Sequence, residues 1–144
     1  MKKEKIITGV EITQLEDVSQ LGDKRGPVFE WKNFTNKKTV QLTSYFRKKG
    51  SMFGNHFHKG TDPSKNPEFF FIISGEAELW VWNKFSNEKS KVRLKPGTIV
   101  IIRPHVLHKC VALTEVVYVE PRITLFDPKK PDTYPAEEYA RYTR

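Results

Sequence analysis

The sequence predicts an all-β fold, a sandwich or barrel of short strands forming one domain over residues 1–144, and three observations carry that prediction. Nearly every apolar stretch is short, rich in Val, Ile, Phe, Tyr, Trp and Thr, and closed by Gly, Pro, Asn or Asp. Such stretches follow one another with no repeat, low-complexity linker or change of composition to divide them. The length, 144 residues, suffices for one proper core.

Taken in order, strands are expected at about 6–13, 28–32, 39–47, 53–58, 68–74, 76–83, 90–94, 98–102, 110–113 and 115–124. Gly75 reverses the chain between 68–74 and 76–83, Asn83 to Asn87 makes the next turn, and Pro96-Gly97 the one after. The core lies over 28–124, with a strand segment at 6–27 before it and a tail at 125–144 behind it. In the tail, AEEYARY after Pro135 has a helical look of about two turns, with Pro at the first position. FFFII (69–73) and TIVII (98–102) are apolar without alternation, so both faces of these strands need cover, from the N-terminal segment or a second subunit. Trp80 and Trp82 share one face of their strand. Turned outward, they would form the contact of a homodimer, which is the expected assembly; the alternative is that they pack under the chain's own termini.

The formal charge is +8, spread as scattered lysine pairs such as Lys37/Lys38 and Lys129/Lys130. That pattern fits a solvated coat or an attraction for phosphate, and no zinc-finger, RRM or helix-turn-helix signature points to nucleic acid. A single cysteine, Cys110, forms no disulfide framework and suggests a cytoplasmic setting. The opening MKKEKIITGVEI is too short in its apolar part for a signal peptide, and nothing approaches the roughly 20 apolar residues of a membrane span.

The chemistry is concentrated in GSMFGNHFHKGTDPSKNPEFFFIISG (50–75). His56 and His58 stand two apart, so a strand turns both to one side. Glu68 opens the next strand and can return beside them, and His108 opens another after Arg103-Pro104. Three imidazoles and a carboxylate suit a divalent transition ion such as zinc, manganese, iron or nickel, with coordination positions left for a substrate oxygen or water.

These residues resemble the cupin superfamily. Its first motif, G-x5-H-x-H-x3,4-E-x6-G, is met at Gly50, His56, His58, Glu68 and Gly75, with nine residues instead of three or four between His58 and Glu68. Its second, G-x5-P-x-G-x2-H-x3-N, is met at Gly97 and His108, while Arg103, His105 and Ala112 depart from it. The resemblance implies a cupin-type jelly-roll β-barrel with His56, His58, Glu68 and His108 as metal ligands. Shorter stretches narrow it. GDKRGPVFEW (22–31) is similar to the opening of the dTDP-4-dehydrorhamnose 3,5-epimerase group, GNHFHK (54–59) to an element of dTDP-4-keto-6-deoxyglucose ketoisomerases, and LFDPKKPDTYP (125–135) to the tail of capsular-polysaccharide sugar epimerase cupins.

This likeness implies a small-molecule substrate, a nucleotide-linked keto-sugar, and proton abstraction next to its carbonyl. In metal-free relatives the histidine matching His56 is the base, but an imidazole whose lone pair is on a metal cannot also take a proton from carbon. Either the ion is bound and another group is the base, or His56 is the base and the ion is absent or incidental; the H-x-H, Glu and His set favours the first. Tyr45, as an acid, and Tyr118, which also reads as core, are the catalytic candidates, with Arg25, Arg47 and Lys59 for substrate binding. Thr43, Tyr45 and Arg47 share a polar stripe, which ordinarily faces solvent and would have to face inward to act. His105 sits at a turn, exposed or hydrogen-bonded, and Cys110 shares the face of His108 as a small hydrophobe. The competing readings are a metal-dependent dioxygenase and a non-catalytic sugar-binding cupin.

Overall fold

A computed structural model describes residues 2–19 and 24–144. Its strands are β1 (Lys2–Ile7), β2 (Val10–Gln14), β3 (Gln41–Arg47), β4 (Met52–Phe57), β5 (Glu68–Ser74), β6 (Ala77–Asn83), β7 (Glu88–Leu94), β8 (Thr98–Ile102), β9 (Leu107–Ala112), β10 (Val116–Arg122) and the short β11 (Tyr134–Pro135). They form two antiparallel sheets, ordered β1-β2-β8-β5-β10-β3 and β11-β4-β9-β6-β7, facing each other as a jelly-roll sandwich. Among the described residues no helix is long and apolar enough to cross a membrane.

Alternation along the strands builds the core between the sheets. Phe70, Ile72, Val100 and Ile102 from one sheet meet Ala77, Leu79, Val81 and Cys110 from the other, all buried. Each large apolar side chain so covered contributes about 1.5–3 kcal/mol relative to exposure. Gly75 permits the β5–β6 reversal: its φ is +80°, and a Cβ there would stand 1.8 Å from the Glu115 carbonyl oxygen. Asn83 closes the β6–β7 turn by accepting from the Phe85 and Ser86 amides while its own amide donates to the Thr8 carbonyl.

Several expectations are corrected. The strand expected at 6–13 is a hairpin, because Gly9 (φ +92°) turns β1 back onto β2. No strand forms at 28–32. Residues 24–40 are irregular, and Phe29, Trp31 and Phe34 instead cover the outer face of β5 and β8. Trp31 stacks on Phe71 at 5.0 Å and Phe34 meets the same ring edge-on at 4.7 Å. The two alternation-free strands are thus covered by the chain itself. In the tail, residues Ala136–Arg141 are 3-10 helical, and fully buried Tyr139 pins them to the second sheet. Its hydroxyl donates toward the Trp82 and His105 carbonyls and accepts from the Lys84 amide. Trp80 faces outward with Lys91 and Lys109 over its ring, while Trp82, with Lys89 over it, packs at 5.1 Å against Tyr139 of the tail, the alternative stated for it.

Candidate metal centre and adjoining cavity

His56, His58, Glu68 and His108 converge from three strands and the residue after β4, with one ligand atom of each within 4.8 Å of the others. Register explains the meeting. β4 pairs with β9 so that His56 lies opposite His108, and β5 starts at Glu68. A bulge makes it possible: Gly54 (φ +79°) and Asn55 (φ +58°) add one residue to β4, so that Phe53 packs in the core while His56, three residues on, faces the cavity.

Outer partners orient the rings. His58 Nδ1 lies 2.5 Å from the Asp132 carbonyl oxygen and His108 Nδ1 lies 3.1 Å from that of Val106. A carbonyl only accepts, so both Nδ1 atoms carry the hydrogen and both Nε2 lone pairs point at Glu68. Those Nε2 atoms are 2.8 and 3.4 Å from Glu68 Oε2, yet none of the three atoms has a well-formed hydrogen bond. Buried acceptors left in this state fit a cation at their common focus. Burial and the other two imidazoles push His56 down to about 3, so it stays neutral with a lone pair to give. Burial disfavours charge on Glu68, but Lys65, His58 and His108 hold its carboxyl well below the usual range. On His58, burial opposes protonation, and Glu68 with the Asp132 carbonyl outweighs it and raises the pKa.

The nine-residue insert supplies a group that the sequence did not reveal. A 3-10 turn at Pro63–Lys65, capped by Asp62 onto the Ser64 amide, carries Lys65 over the site. Lys65 Nζ sits 3.5 Å from Glu68 Oε1 and forms a close ion pair with Glu120 of β10. Glu68 therefore turns one oxygen to the imidazoles and the other to lysine. Asp62 also pairs with Arg122 at 2.5 Å, and the Ser64 hydroxyl accepts from the Ile123 and Thr124 amides, bolting the insert to the end of β10. At the insert's other end, the buried Asp132 carboxylate accepts from the amides of Lys59, Gly60 and Asp62.

Beside the four residues lies a cavity of about 270 Å³. A void of about 150 Å³ already holds benzene, so a substituted six-membered ring fits. The polar stripe of β3 faces into this cavity, contrary to its ordinary exposure: Thr43, Tyr45 and Arg47 line it, while Leu42 and Phe46 are 63% and 75% exposed on the outer side. Tyr45 stacks on Tyr118 at 4.6 Å, and Tyr118 on Phe53 at 5.0 Å, giving a flat aromatic wall. Burial raises the pKa of both phenols, keeping them as proton donors. Arg47 lies over Tyr45 and Phe53, its Nε without a partner. Cys110 lines the cavity as a buried thiol, its pKa raised by burial and by Glu68.

Two expected binding residues lie elsewhere. Lys59 points to the tail, its Nζ 4.0 Å from the Tyr134 ring centroid, because its backbone is held by Asp132. Arg25 is exposed in the irregular 24–40 segment and does not line the cavity; Gly22 and Asp23 of the same motif lie outside the described residues. His105 hydrogen-bonds the Tyr142 hydroxyl at 2.7 Å, as its turn position suggested. Glu120 and Arg122 carry a sequence signal of their own: they follow Tyr118 at alternate positions and interrupt an apolar strand on its buried face.

The sequence matches the polysaccharide biosynthesis C-terminal domain over residues 21–134. The chain belongs to this family. No curated protein matches this polysaccharide biosynthesis domain. Among solved structures, the capsular polysaccharide assembling protein CapF of Staphylococcus aureus is 23% identical, with a TM-score of 0.57 over 69% of this chain and 27% of CapF. The domain thus spans about a quarter of that protein. QdtA, a sugar 3,4-ketoisomerase of Thermoanaerobacterium thermosaccharolyticum solved with TDP, is 15% identical, with a TM-score of 0.68 over 94% of this chain and 98% of QdtA. The dTDP-4-dehydrorhamnose 3,5-epimerase of Sulfolobus tokodaii is 20% identical, with a TM-score of 0.64 over 89% and 78%. The domain shares the cupin fold with these proteins.

Proposed function

We propose that this domain is a metal-binding sugar isomerase or epimerase that acts on a nucleotide-linked keto-sugar by moving a proton next to its carbonyl. One observation carries the reading: buried, unpartnered His58 Nε2, His108 Nε2 and Glu68 Oε2 focus on one point beside a ring-sized cavity walled by Tyr45 and Tyr118. His56, His58, Glu68 and His108 would hold the ion. A divalent ion there supplies Lewis-acid polarisation of a carbonyl. Arg47, with its unpartnered Nε, offers a fork for a phosphate oxygen, and the aromatic wall offers a face for the sugar ring. The phenols of Tyr45 and Tyr118 stay protonated and donate hydrogen bonds to hydroxyl or carbonyl oxygens. The likeness to the ketoisomerase and the epimerase supports the substrate class.

In deuterated water, the metal-loaded protein should place deuterium at carbon next to the carbonyl of TDP-4-keto-6-deoxyglucose. Thermal stabilisation by that compound without deuterium entry would make the domain a binding module. Iron in the protein together with oxygen consumption would make it a dioxygenase.

The same reading includes a homodimer. Exposed Leu42 and Phe46 on edge strand β3 are its support, because Lys89, Lys91 and Lys109 over the tryptophans would be brought face to face by two-fold pairing on that side. Sedimentation should give a dimer that Phe46→Glu dissociates; a monomer at all concentrations would remove this part of the proposal.

A further inference from the structure

We propose that Glu120, which Lys65 bridges to Glu68 in the cavity wall, is the group that takes the proton from carbon. The inference rests on the isomerase or epimerase reading and answers a question which that reading leaves open. An imidazole committed to a metal is not a base, and the second nitrogens of His58 and His108 are bound to backbone carbonyls. The phenols of Tyr45 and Tyr118 are donors, and Lys65 is an ammonium engaged by two carboxylates. Among the described residues lining the cavity, Glu68 and Glu120 are the carboxylates, and Glu68 belongs to the ligand set.

Placement agrees. Glu120 stands on β10 of the six-stranded sheet, opposite Thr43 of β3 and two residues from Tyr118, whereas the imidazoles at 56 and 108 come from the facing sheet. A ring lying in the cavity would have both the ligand residues His56, Glu68 and His108 and this carboxylate in its walls. Lys65 engages Oε1 of Glu120, and no hydrogen bond among the described residues engages Oε2. One oxygen is thus anchored and the other is available. Burial and the nearby Glu68 charge raise the Glu120 pKa, which strengthens it as a proton acceptor. A structural ion pair alone would not require both partners to line the cavity.

In the step, the C–H bond next to the carbonyl breaks and its proton goes to Glu120 Oε2. The C–H electron pair becomes the C=C bond of an enolate, and the carbonyl π pair moves onto oxygen. Return of the proton to carbon regenerates the carboxylate, with no net oxidation and no further reactant.

Glu120→Gln and Glu120→Asp are compared with the wild-type protein by deuterium entry into TDP-4-keto-6-deoxyglucose, by elemental analysis and by thermal shift with TDP. Glu120→Gln should keep stoichiometric metal and the TDP shift while deuterium entry falls about 10²–10⁴-fold; Glu120→Asp should retain a reduced rate. Unchanged deuterium entry in a folded variant overturns the assignment. So does loss of metal in parallel with exchange, or failure of both variants to fold, since either makes the carboxylate structural. Absence of deuterium entry in the wild-type protein with metal bound would instead remove the isomerase reading on which the assignment stands.

Discussion

Substituting His108 by alanine is expected to abolish stoichiometric binding of a divalent transition ion while the sandwich stays folded. His108 sits at the start of β9 with its ring in the cavity wall, so truncation removes a donor without opening the main core between β5, β6 and β8. Loss of an outer partner alone typically weakens a site about 10–100-fold, and loss of a direct ligand should exceed that. His56→Ala should act likewise, since its lone pair is as available. Elemental analysis of protein purified without added metal gives the readout, and full metal content in both variants would sink the ligand set. Chelation of the wild-type protein should lower the melting temperature, because the converged polar groups lose what satisfies them. For an ion held at about a thousand times its dissociation constant, the linkage is about 4 kcal/mol. In a chain of this size that is about 14 °C.

Asp132→Ala should cost about 3–5 kcal/mol and weaken metal binding about tenfold or more. The carboxylate accepts from three backbone amides at 2.8, 2.8 and 3.1 Å, and those N–H groups lie where solvent only partly replaces it. The main-chain carbonyl of the same residue fixes the His58 ring, so a shift of this segment reaches the ligand. Thermal or denaturant unfolding together with a metal titration checks both parts. Stability within 1 kcal/mol of wild type would show that the tail is not a structural support of the site.

The four proposed ligands could be named from the sequence because strand geometry is local around His56, His58 and Glu68 and because the two cupin-like motifs tie His108 to them. His-x-His fixes a shared side, and Glu68 at the head of an apolar run fixes where the return strand begins. The strands themselves were readable for the same reason, including the Gly75 reversal. What could not be read depended on contacts distant in sequence. Phe29 and Trp31 look like strand residues because they are aromatic, but with Phe34 they serve as a cover, a role that exists only once β5 and β8 are placed. The stripe of Thr43, Tyr45 and Arg47 inverts the usual alternation, polar side inward and Leu42 and Phe46 outward. That is a conflict of the kind expected where binding chemistry outranks burial. Lys65 sits in a polar loop with no periodic mark, and only the Asp62–Arg122 and Ser64 anchors aim it inward. Asp132 looks like one more turn aspartate beside proline, and its partners lie about seventy residues upstream.

The carbonyl of residue 132 on the His58 ring has an implication for anyone handling this polypeptide. Shortening it ahead of that residue would spare every proposed donor and nearly all of the sandwich, yet leave one imidazole free to swivel and to exchange its tautomers. Such a fragment should retain its β-sheet circular dichroism and grip ions weakly, so a well-folded spectrum by itself would be a poor certificate of a competent centre.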